Sequence, residues 1–302
     1  MLIVKEVEKS FGEKMVIDDL SFYIRPGECA GLIGLNGAGK TTVIRMLTGS
    51  LLPDKGTIRV NGMEPCFRQK ELIGKMAMVS CAFSQLWEDM PLRFSLENCR
   101  KMYHISKQEY DRKMEELDKC MQIRSFWERK VNLLSLGQKM LGEIAYALTG
   151  NPSVLFLDEP TIGIAVDVRE KVLEYLRDLC RRKGITILYT SHNMRDVEYL
   201  CDHLILLDRG KKIFDGKLER LQMEYGIGDC MELVLEPGKF PDLEDLPIEK
   251  MEYEENHLVI YYQKSVISNT LILNHITKQC NILAIKTKEP SLEDIIRFIT
   301  GK

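Results

Sequence analysis

The stretch GLIGLNGAGKTT, residues 31–42, constrains the fold of this chain more than any other feature. Within it, residues 34–41 follow the pattern G-x-x-x-x-G-K-T, in which glycines let successive backbone N–H groups turn inward around an anion. The apolar segment before the pattern predicts a buried strand, and a helix that begins near Lys40 would point its positive end at the same anion. The stretch therefore predicts a strand, a phosphate-binding loop and a helix in that order.

The loop and the first turn of that helix supply the groups that a nucleotide needs. Lys40 is expected to reach the β- and γ-phosphates, and the Thr41 hydroxyl is expected to be a ligand of Mg²⁺. The alternative is a glycine-rich turn before an ordinary helix, but this alternative does not account for a strand, a loop and a helix in this order. The residues predicted to bind the nucleotide here are Asn36, Gly37, Ala38, Gly39, Lys40, Thr41 and Thr42.

Composition limits the classes of partner. The chain has 302 residues, enough for one large domain or two smaller ones, and its 42 Lys and Arg nearly balance its 45 Asp and Glu. We therefore expect no nucleic-acid partner. Nine dispersed cysteines without a C-x-x-C pair are typical of reduced thiols in a cytoplasmic protein. No apolar run approaches the ~18 residues of a membrane-spanning helix, so a role at a membrane would require a partner.

The pattern of apolar residues predicts a parallel α/β core in the first part of the chain, because buried strands alternate there with helices. Before and between these units we predict two N-terminal strands, a turn-strand-turn segment, a mostly helical region and a hairpin. The corresponding ranges are strands 2–8, 16–24, 152–160 and 184–192, turn-strand-turn 53–62, helical region 92–149, helix 168–183 and hairpin 203–216.

A second, smaller α/β domain is predicted after a linker at 224–229. Ser291 followed by Asp294 is typical of a helix cap. The expected domains are 1–225 and 226–302, and the second contains strands 231–236, 257–263 and 281–287 and helices 265–277 and 291–299.

Three further segments carry candidate chemistry. Asp158 and Glu159 end the apolar strand VLFLD, where the first carboxylate can hold Mg²⁺ and the second can polarise a water molecule. Ser135 and Gly137 precede a helix and form a hydroxyl-plus-N–H anion site, and His192 ends the next core strand. Each segment alone has an ordinary explanation as a helix cap or a structural histidine. Together with the phosphate-binding loop they favour a nucleotide site.

Residues 2–222 with this set of motifs resemble the ATP-binding cassette (ABC) ATPases. The resemblance implies an α/β fold: a P-loop NTPase core with an N-terminal antiparallel β subdomain, an α-helical signature subdomain at about 86–148 and a small C-terminal α/β extension. It also implies ATP and Mg²⁺ as cofactors. Glu159 would be the water-polarising base, His192 a sensor of the γ-phosphate, and Lys40 the residue that stabilises its charge.

The same resemblance assigns further binding residues. LSLGQ, 134–138, matches the signature sequence, so that Ser135, Gly137 and Gln138 would contact ATP bound to another subunit. Phe11 stands where the family has an aromatic residue that stacks on adenine, although core packing is an alternative for that ring. Asp158 would hold Mg²⁺ directly or through water.

The segments 84–98, LSLGQKM and LFLDEPTIGI are most similar to ATP-binding subunits of bacterial ABC exporters, which often carry a C-terminal extension containing a sequence such as EPSLEDI. This implies a second ABC subunit, with a homodimer ahead of a heterodimer, in which two cassettes enclose two ATP molecules head to tail. It also implies an integral membrane permease that contacts residues near 85–103. The chain would then lie in the cytoplasm, peripheral to the inner face of the membrane.

Two positions depart from the family pattern. Ala82 stands where a glutamine is expected, and Gln85 is the nearest candidate for that metal contact. Ala165 replaces an aspartate, with Asp167 nearby. A slow transport ATPase, one half of an unequal cassette pair and a regulatory module with weak turnover all stay open. A soluble ATPase acting on ribosomes or nucleic acid and a small-molecule kinase are further alternatives.

Overall fold

The computed structural model describes residues 1–65, 70–225, 229–238, 240–263, 266–288 and 291–300. The chain divides into two compact units, Met1–Leu218 and Glu219–Lys302. The domain boundary expected between residues 225 and 226 stays a prediction, and residues 226–228 of the predicted linker lie outside the described residues.

The first unit contains two sheets. An antiparallel sheet has the strand order β2-β1-β4, and a six-stranded sheet has the order β5-β6-β7-β3-β8-β9. In the second sheet β5, β6, β7, β3 and β8 are parallel, and β9 is antiparallel to β8. The strands are β1 Leu2–Phe11, β2 Lys14–Ile24, β3 Cys29–Gly34, β4 Lys55–Val60, β5 Met76–Ser80, β6 Val154–Asp158, β7 Thr186–Thr190, β8 His203–Asp208 and β9 Lys211–Lys217.

The predicted parallel core, the N-terminal antiparallel subdomain and the 203–216 hairpin are confirmed by this strand pairing. Strands β3, β6 and β7 are buried along their whole length, as expected of parallel strands covered on both faces. The helices of the unit are α1 Lys40–Leu47, α2 Lys70–Ile73, α3 Leu92–Met102, α4 Lys107–Met121, α5 Leu136–Thr149, α6 Val166–Lys183 and α7 Met194–Leu200, and α8 Leu218–Glu224 follows.

One apolar cluster joins the two sheets of this unit. It includes Leu32 of β3, Ile44 and Leu47 of α1, and Phe156 and Leu188 of β6 and β7, all completely buried. The region predicted to be mostly helical divides into α3, α4 and α5, and α3 packs against α5. The core thus fixes α1 at the end of β3, which positions the glycine-rich loop between them.

The second unit is a four-stranded antiparallel sheet with the order β11-β12-β10-β13. Its core contains Leu233, Ile260, Ile272 and Ile276. The predicted Ser291 cap is confirmed, because the Asp294 amide donates to Ser291 Oγ (3.2 Å). Strand β11 was not predicted, and residues 264–265 and 289–290 lie outside the described residues. The elements are β10 Asp229–Leu235, β11 Lys250–Glu254, β12 His257–Tyr262, β13 Ile282–Lys288, α9 Asn269–Thr277 and α10 Leu292–Thr300.

Candidate functional site

The glycine-rich loop connects β3 to α1 at the carboxyl edge of the parallel sheet. Gly34 and Gly39 have φ angles of 151° and 105°, which residues other than glycine rarely adopt. A Cβ at Gly34 would lie 2.3 Å from the Leu207 carbonyl oxygen, and one at Gly39 would lie 2.5 Å from Ile17 Cδ1. Glycine is therefore required at both positions, and the loop keeps its backbone N–H groups close to the start of α1.

Lys40 lies at the mouth of this loop. Its ammonium donates to the carbonyl oxygens of Gly34 (2.7 Å) and Leu35 (3.3 Å). Burial lowers the pKa of Lys40, and the negative charges of Glu159 and Asp158 oppose that shift. A cation held only by backbone carbonyls can exchange them for phosphate oxygens without leaving the loop.

Asp158 ends β6 beside the first turn of α1. Thr41 Oγ1 lies 3.4 Å from Asp158 Oδ2, and Thr190 Oγ1 at the end of β7 donates to Asp158 Oδ1 (2.7 Å). Mg²⁺ prefers oxygen ligands and binds through one or two protein groups while it keeps water and phosphate oxygens. The hydroxyl of Thr41 and the carboxylate of Asp158 therefore fit that ion.

Glu159 follows directly in a backbone conformation with a φ of 56°, uncommon for a residue other than glycine. Its Oε2 accepts from the His192 amide (3.2 Å), and its Oε1 lies 3.5 Å from His192 Nε2. Oε1 is buried and makes no hydrogen bond with any residue in the described part of the chain. Strain and an unsatisfied oxygen in one residue are typical of a functional site.

The segment with Ser135 begins α5. Ser135 Oγ accepts from the Gln138 amide (3.2 Å), and Gln138 Oε1 accepts from the Ser135 amide (3.1 Å), which completes a capping box. Because Oγ acts only as an acceptor here, its own proton is free to be donated. Gly137 packs against the backbone of the segment after Glu159, since a Cβ on it would lie 2.2 Å from the Gly163 carbonyl oxygen.

The structure does not bring Gln85 to Thr41 and Asp158. Gln85 Nε2 instead donates to the Met78 carbonyl (2.7 Å), and its backbone amide donates to the buried carboxylate of Glu143 (3.1 Å). A role for Gln85 at a metal therefore stays a prediction. Ala82 is exposed in the same loop, and its amide donates to Ser80 Oγ.

Phe11 ends β1 with 48% of its surface exposed, so core packing does not explain it. The Lys9 ammonium lies 5.7 Å from the ring centroid. Ala165 is the N-cap of α6 and offers no side-chain acceptor to the helix.

Two supporting residues, Thr190 and Glu143, escaped the sequence reasoning. Thr190 orients Asp158 from the neighbouring strand, and Glu143 holds the loop at residues 84–85 from α5. The signal for Thr190 was present, because it ends a buried strand parallel to the one that ends in Asp158. Nothing local in the sequence distinguishes Glu143 from an exposed helical glutamate.

Comparison with known proteins agrees with this geometry. Residues 17–162 match the family model described as ABC transporter. The chain is 33% identical to the Nod factor export ATP-binding protein I of Rhizobium sp. (strain N33), over 98% of this chain and 95% of that one. This chain belongs to the ABC transporter family.

Further similarities extend over the whole chain or over three quarters of it. The linearmycin resistance ATP-binding protein LnrL of Bacillus subtilis (strain 168) is 29% identical over 100% of this chain and 99% of its own. A solved structure titled as an ATP-binding subunit of an ABC transporter superposes with a TM-score of 0.70 at 27% identity, over 75% of this chain and 93% of that one. This chain is thus an ABC transporter ATP-binding subunit, and the relative from Rhizobium sp. is named for Nod factor export.

ATP is accordingly the nucleotide that subunits of this family bind, and ATPase activity is general to the family. Among the described residues, no helix is both long enough and apolar enough to cross a membrane.

Proposed function

We propose that this chain hydrolyses ATP with Mg²⁺ and thereby powers a separate membrane permease, in the direction of export. The observation that carries the proposal is the meeting of Lys40, Asp158, Glu159 and His192 at the carboxyl edge of one sheet. Export is the function named for the Nod factor relatives that match nearly the whole chain.

In the proposed reaction the chain's residues bind ATP and orient the attacking water. Lys40 leaves the Gly34 and Leu35 carbonyls for the β- and γ-phosphates, while the loop amides hold the rest of the anion. Glu159 Oε1 has no hydrogen bond within the described chain and can accept one from water, and His192 beside it can contact the γ-phosphate. Bound Mg²⁺, held by Thr41 and Asp158, supplies positive charge to the phosphate oxygens.

The signature residues act on ATP held by a second cassette in this proposal. Ser135 and Gln138 satisfy each other within their own capping box, and the hydroxyl proton of Ser135 stays available. A second copy of this chain is the simplest partner, because each chain supplies one loop and one signature. Hydrolysis would then remove a charge that both subunits bind, and the dimer would open.

The membrane permease is proposed to dock in a groove of about 470 Å³ beside β5. Arg45 lines this groove, and its Nε is buried and donates no hydrogen bond to any described residue. Such a groove fits an apolar helical segment that carries one acidic residue. Its apolar walls are formed by Ile73, Met76, Met78, Phe83, Tyr103 and Tyr146. The permease would hold this chain at the inner face of the membrane, on the cytoplasmic side.

The first test measures phosphate release from ATP with Mg²⁺ and with the ion removed by chelation. We expect turnover only with Mg²⁺, because without the ion the Asp158 carboxylate repels the phosphates and Lys40 alone offsets their charge. A second measurement determines the solution mass of the Glu159→Gln variant with and without Mg-ATP. A shift from monomer to dimer is expected with Mg-ATP. Metal-independent turnover or absence of ATP binding would contradict the proposed reaction.

A second candidate is one half of an unequal cassette pair, favoured by the alanines at positions 82 and 165. Glu159→Gln that binds Mg-ATP yet stays a monomer would support it over the homodimer. Co-purification with a polytopic membrane protein tests the permease, and weaker capture by Arg45→Gln would indicate docking in the groove.

A further inference from the structure

A buried carboxylate outside the reaction just described connects three elements behind the site. Asp196 on α7 is 2% exposed. Its Oδ2 accepts from Thr161 Oγ1 at 2.9 Å and from the Tyr189 hydroxyl at 3.4 Å. Its Oδ1 lies 3.5 Å from Arg169 Nε of α6. We refer to Thr161, Tyr189, Arg169 and Asp196 as the Asp196 cluster.

The cluster ties together the segments that carry Glu159 and His192. Thr161 is separated from Glu159 only by Pro160, and Asp196 lies about one helical turn beyond His192. The bond between Thr161 and Asp196 therefore fixes the end of β6 relative to the loop between β7 and α7. Directly above it, Glu159 Oε2 accepts from the His192 amide at 3.2 Å.

Because Asp196 is buried, loss of its hydrogen bonds would destabilise the folded protein. A carboxylate removed from water is destabilised by desolvation and must be paired or hydrogen-bonded. Burial also raises the pKa of Tyr189 well above its usual range, so its hydroxyl stays protonated and can donate to Asp196. The two donors, Thr161 and Tyr189, and the ion-pair partner Arg169 lie in different segments, so movement of any one of them weakens an interaction of this buried charge.

We propose that Thr161 and Asp196 are positioning residues for ATP hydrolysis: their buried bond holds Glu159 and His192 in the relative placement that the reaction needs. The inference rests on the proposed function, in which those two residues act on the γ-phosphate and its attacking water. Neither Thr161 nor Asp196 needs to contact ATP.

The test compares Thr161→Val, which keeps the shape and removes the hydroxyl, with Thr161→Ser, which keeps the hydroxyl. We expect Thr161→Val to lower kcat at least ~10-fold, because small misplacements of reacting groups are expensive. The affinity for ATP should change less than ~3-fold, and Thr161→Ser should recover most of kcat. Asp196→Asn, which keeps the volume and removes the charge, should lower kcat in the same manner if Thr161→Val does not fold.

Thr149→Val is the matched control. Thr149 is also buried, and its hydroxyl donates to the Ala145 carbonyl within α5 at 2.8 Å, away from the cluster. A merely structural role for Thr161 predicts that both valine variants lose thermal stability and activity in proportion. Wild-type kcat in Thr161→Val, or an equal loss in Thr149→Val, would overturn the inference.

Hydrogen exchange separates failure of this inference from failure of the proposed function. The His192 amide is protected by Glu159 Oε2, so its exchange should accelerate in Thr161→Val and not in Thr149→Val. This readout needs no ATP turnover. If wild-type protein does not hydrolyse ATP, the proposed function fails, whereas unchanged exchange at His192 contradicts the positioning role itself.

Discussion

The two edges of the six-stranded sheet hold their polar groups in different surroundings. At the carboxyl edge, Glu159 has a strained backbone and a buried oxygen without a hydrogen bond in the described chain. At the amino edge, His203 lies between two carboxylates, with Nε2 2.7 Å from Asp215 Oδ1 and Nδ1 3.2 Å from Glu28 Oε1. Lys212 pairs with the other oxygen of Asp215 at 2.7 Å.

This difference separates function from stability within one sheet. Polar groups with short bonds inside the protein lower its free energy, whereas a buried oxygen without a hydrogen bond can still accept one from a ligand. Ligands bind at the carboxyl edge in parallel α/β sheets, so a buried oxygen without a hydrogen bond is expected at that edge. The comparison predicts that changes at the carboxyl edge alter activity and that changes at the amino edge alter stability.

The largest expected effect is that of Glu159→Gln. Removing a general base is expected to lower the rate of phosphate release ~10²–10⁴-fold, while ATP still binds because the loop is intact. Steady-state turnover and equilibrium binding of a fluorescent ATP analogue measure the two quantities. Glu170→Gln, at an exposed carboxylate on α6, is the control and should turn over normally. Near-normal turnover in Glu159→Gln would contradict the prediction that changes at the carboxyl edge alter activity.

The next largest effect concerns the amino edge and depends on pH. Hydrogen bonds to Asp215 and then Glu28 raise the pKa of His203 to about 9. A group whose pKa is raised by folding stabilises the protein fully below its unfolded pKa of about 6.5, and this contribution is lost as pH rises through about 9. The full contribution is about 3 kcal/mol as an upper estimate.

Denaturant unfolding from pH 6 to pH 10 measures that loss. His203→Gln should be less stable than the wild type at pH 6, and the difference should shrink toward pH 10. Its turnover at pH 7, measured below its unfolding temperature, should stay near that of the wild type. A difference in stability that does not depend on pH would show that His203 contributes only through packing.

A smaller effect is expected at the start of α5. Ser135→Ala removes the acceptor for the Gln138 amide and should lower the free energy of unfolding by about 1 kcal/mol. Ser135→Thr keeps that acceptor and is the control. Loss of ATP-dependent dimerisation in Ser135→Ala, beyond the loss of stability, would show that this satisfied cap also serves the nucleotide. It would thereby limit the rule that paired groups do not bind ligands.

The smallest effect is expected from Ala165→Asp. Ala165 is an exposed N-cap with the extended backbone that N-caps adopt, and it offers no acceptor. An aspartate there should stabilise the protein by roughly 0.5–1 kcal/mol through the first-turn amides of α6. Thermal unfolding measures the gain, and Ala165→Leu should not reproduce it. A lower melting temperature in Ala165→Asp would indicate that the segment after Glu159 is constrained by something other than capping.

The sequence was most informative where one residue type meets a local physical requirement. Gly34 and Gly39 could be recognised because no other residue fits their backbone, and Asp158 because a carboxylate at the end of an apolar strand is conspicuous. The parallel core followed from apolar runs long enough to be buried on both faces.

Contacts between distant segments could not be predicted in this way. The pairing of Thr161 with Asp196, of Glu143 with the loop at residues 84–85, and of His203 with Glu28 each depends on tertiary placement. The short helix α7 was missed because seven residues give too little periodicity, and β11 was missed because its exposed, polar residues do not resemble a buried strand. The Gln85 side chain donates to the Met78 carbonyl, a contact that its local position did not indicate, and its role at a metal stays a prediction.

The contact between Gly137 and Gly163 leaves no room for a single methyl group. Gly163 lies shortly after Glu159, and Gly137 lies in the signature segment. Within one chain, the segment that follows the proposed base is therefore in backbone contact with the signature segment. In the proposed dimer, Glu159 and the signature segment of one chain face different ATP molecules. Because this contact has no free space, a displacement of the segment after Glu159 would move the signature segment of the same chain, and hydrolysis at one ATP would then affect the site that binds the other.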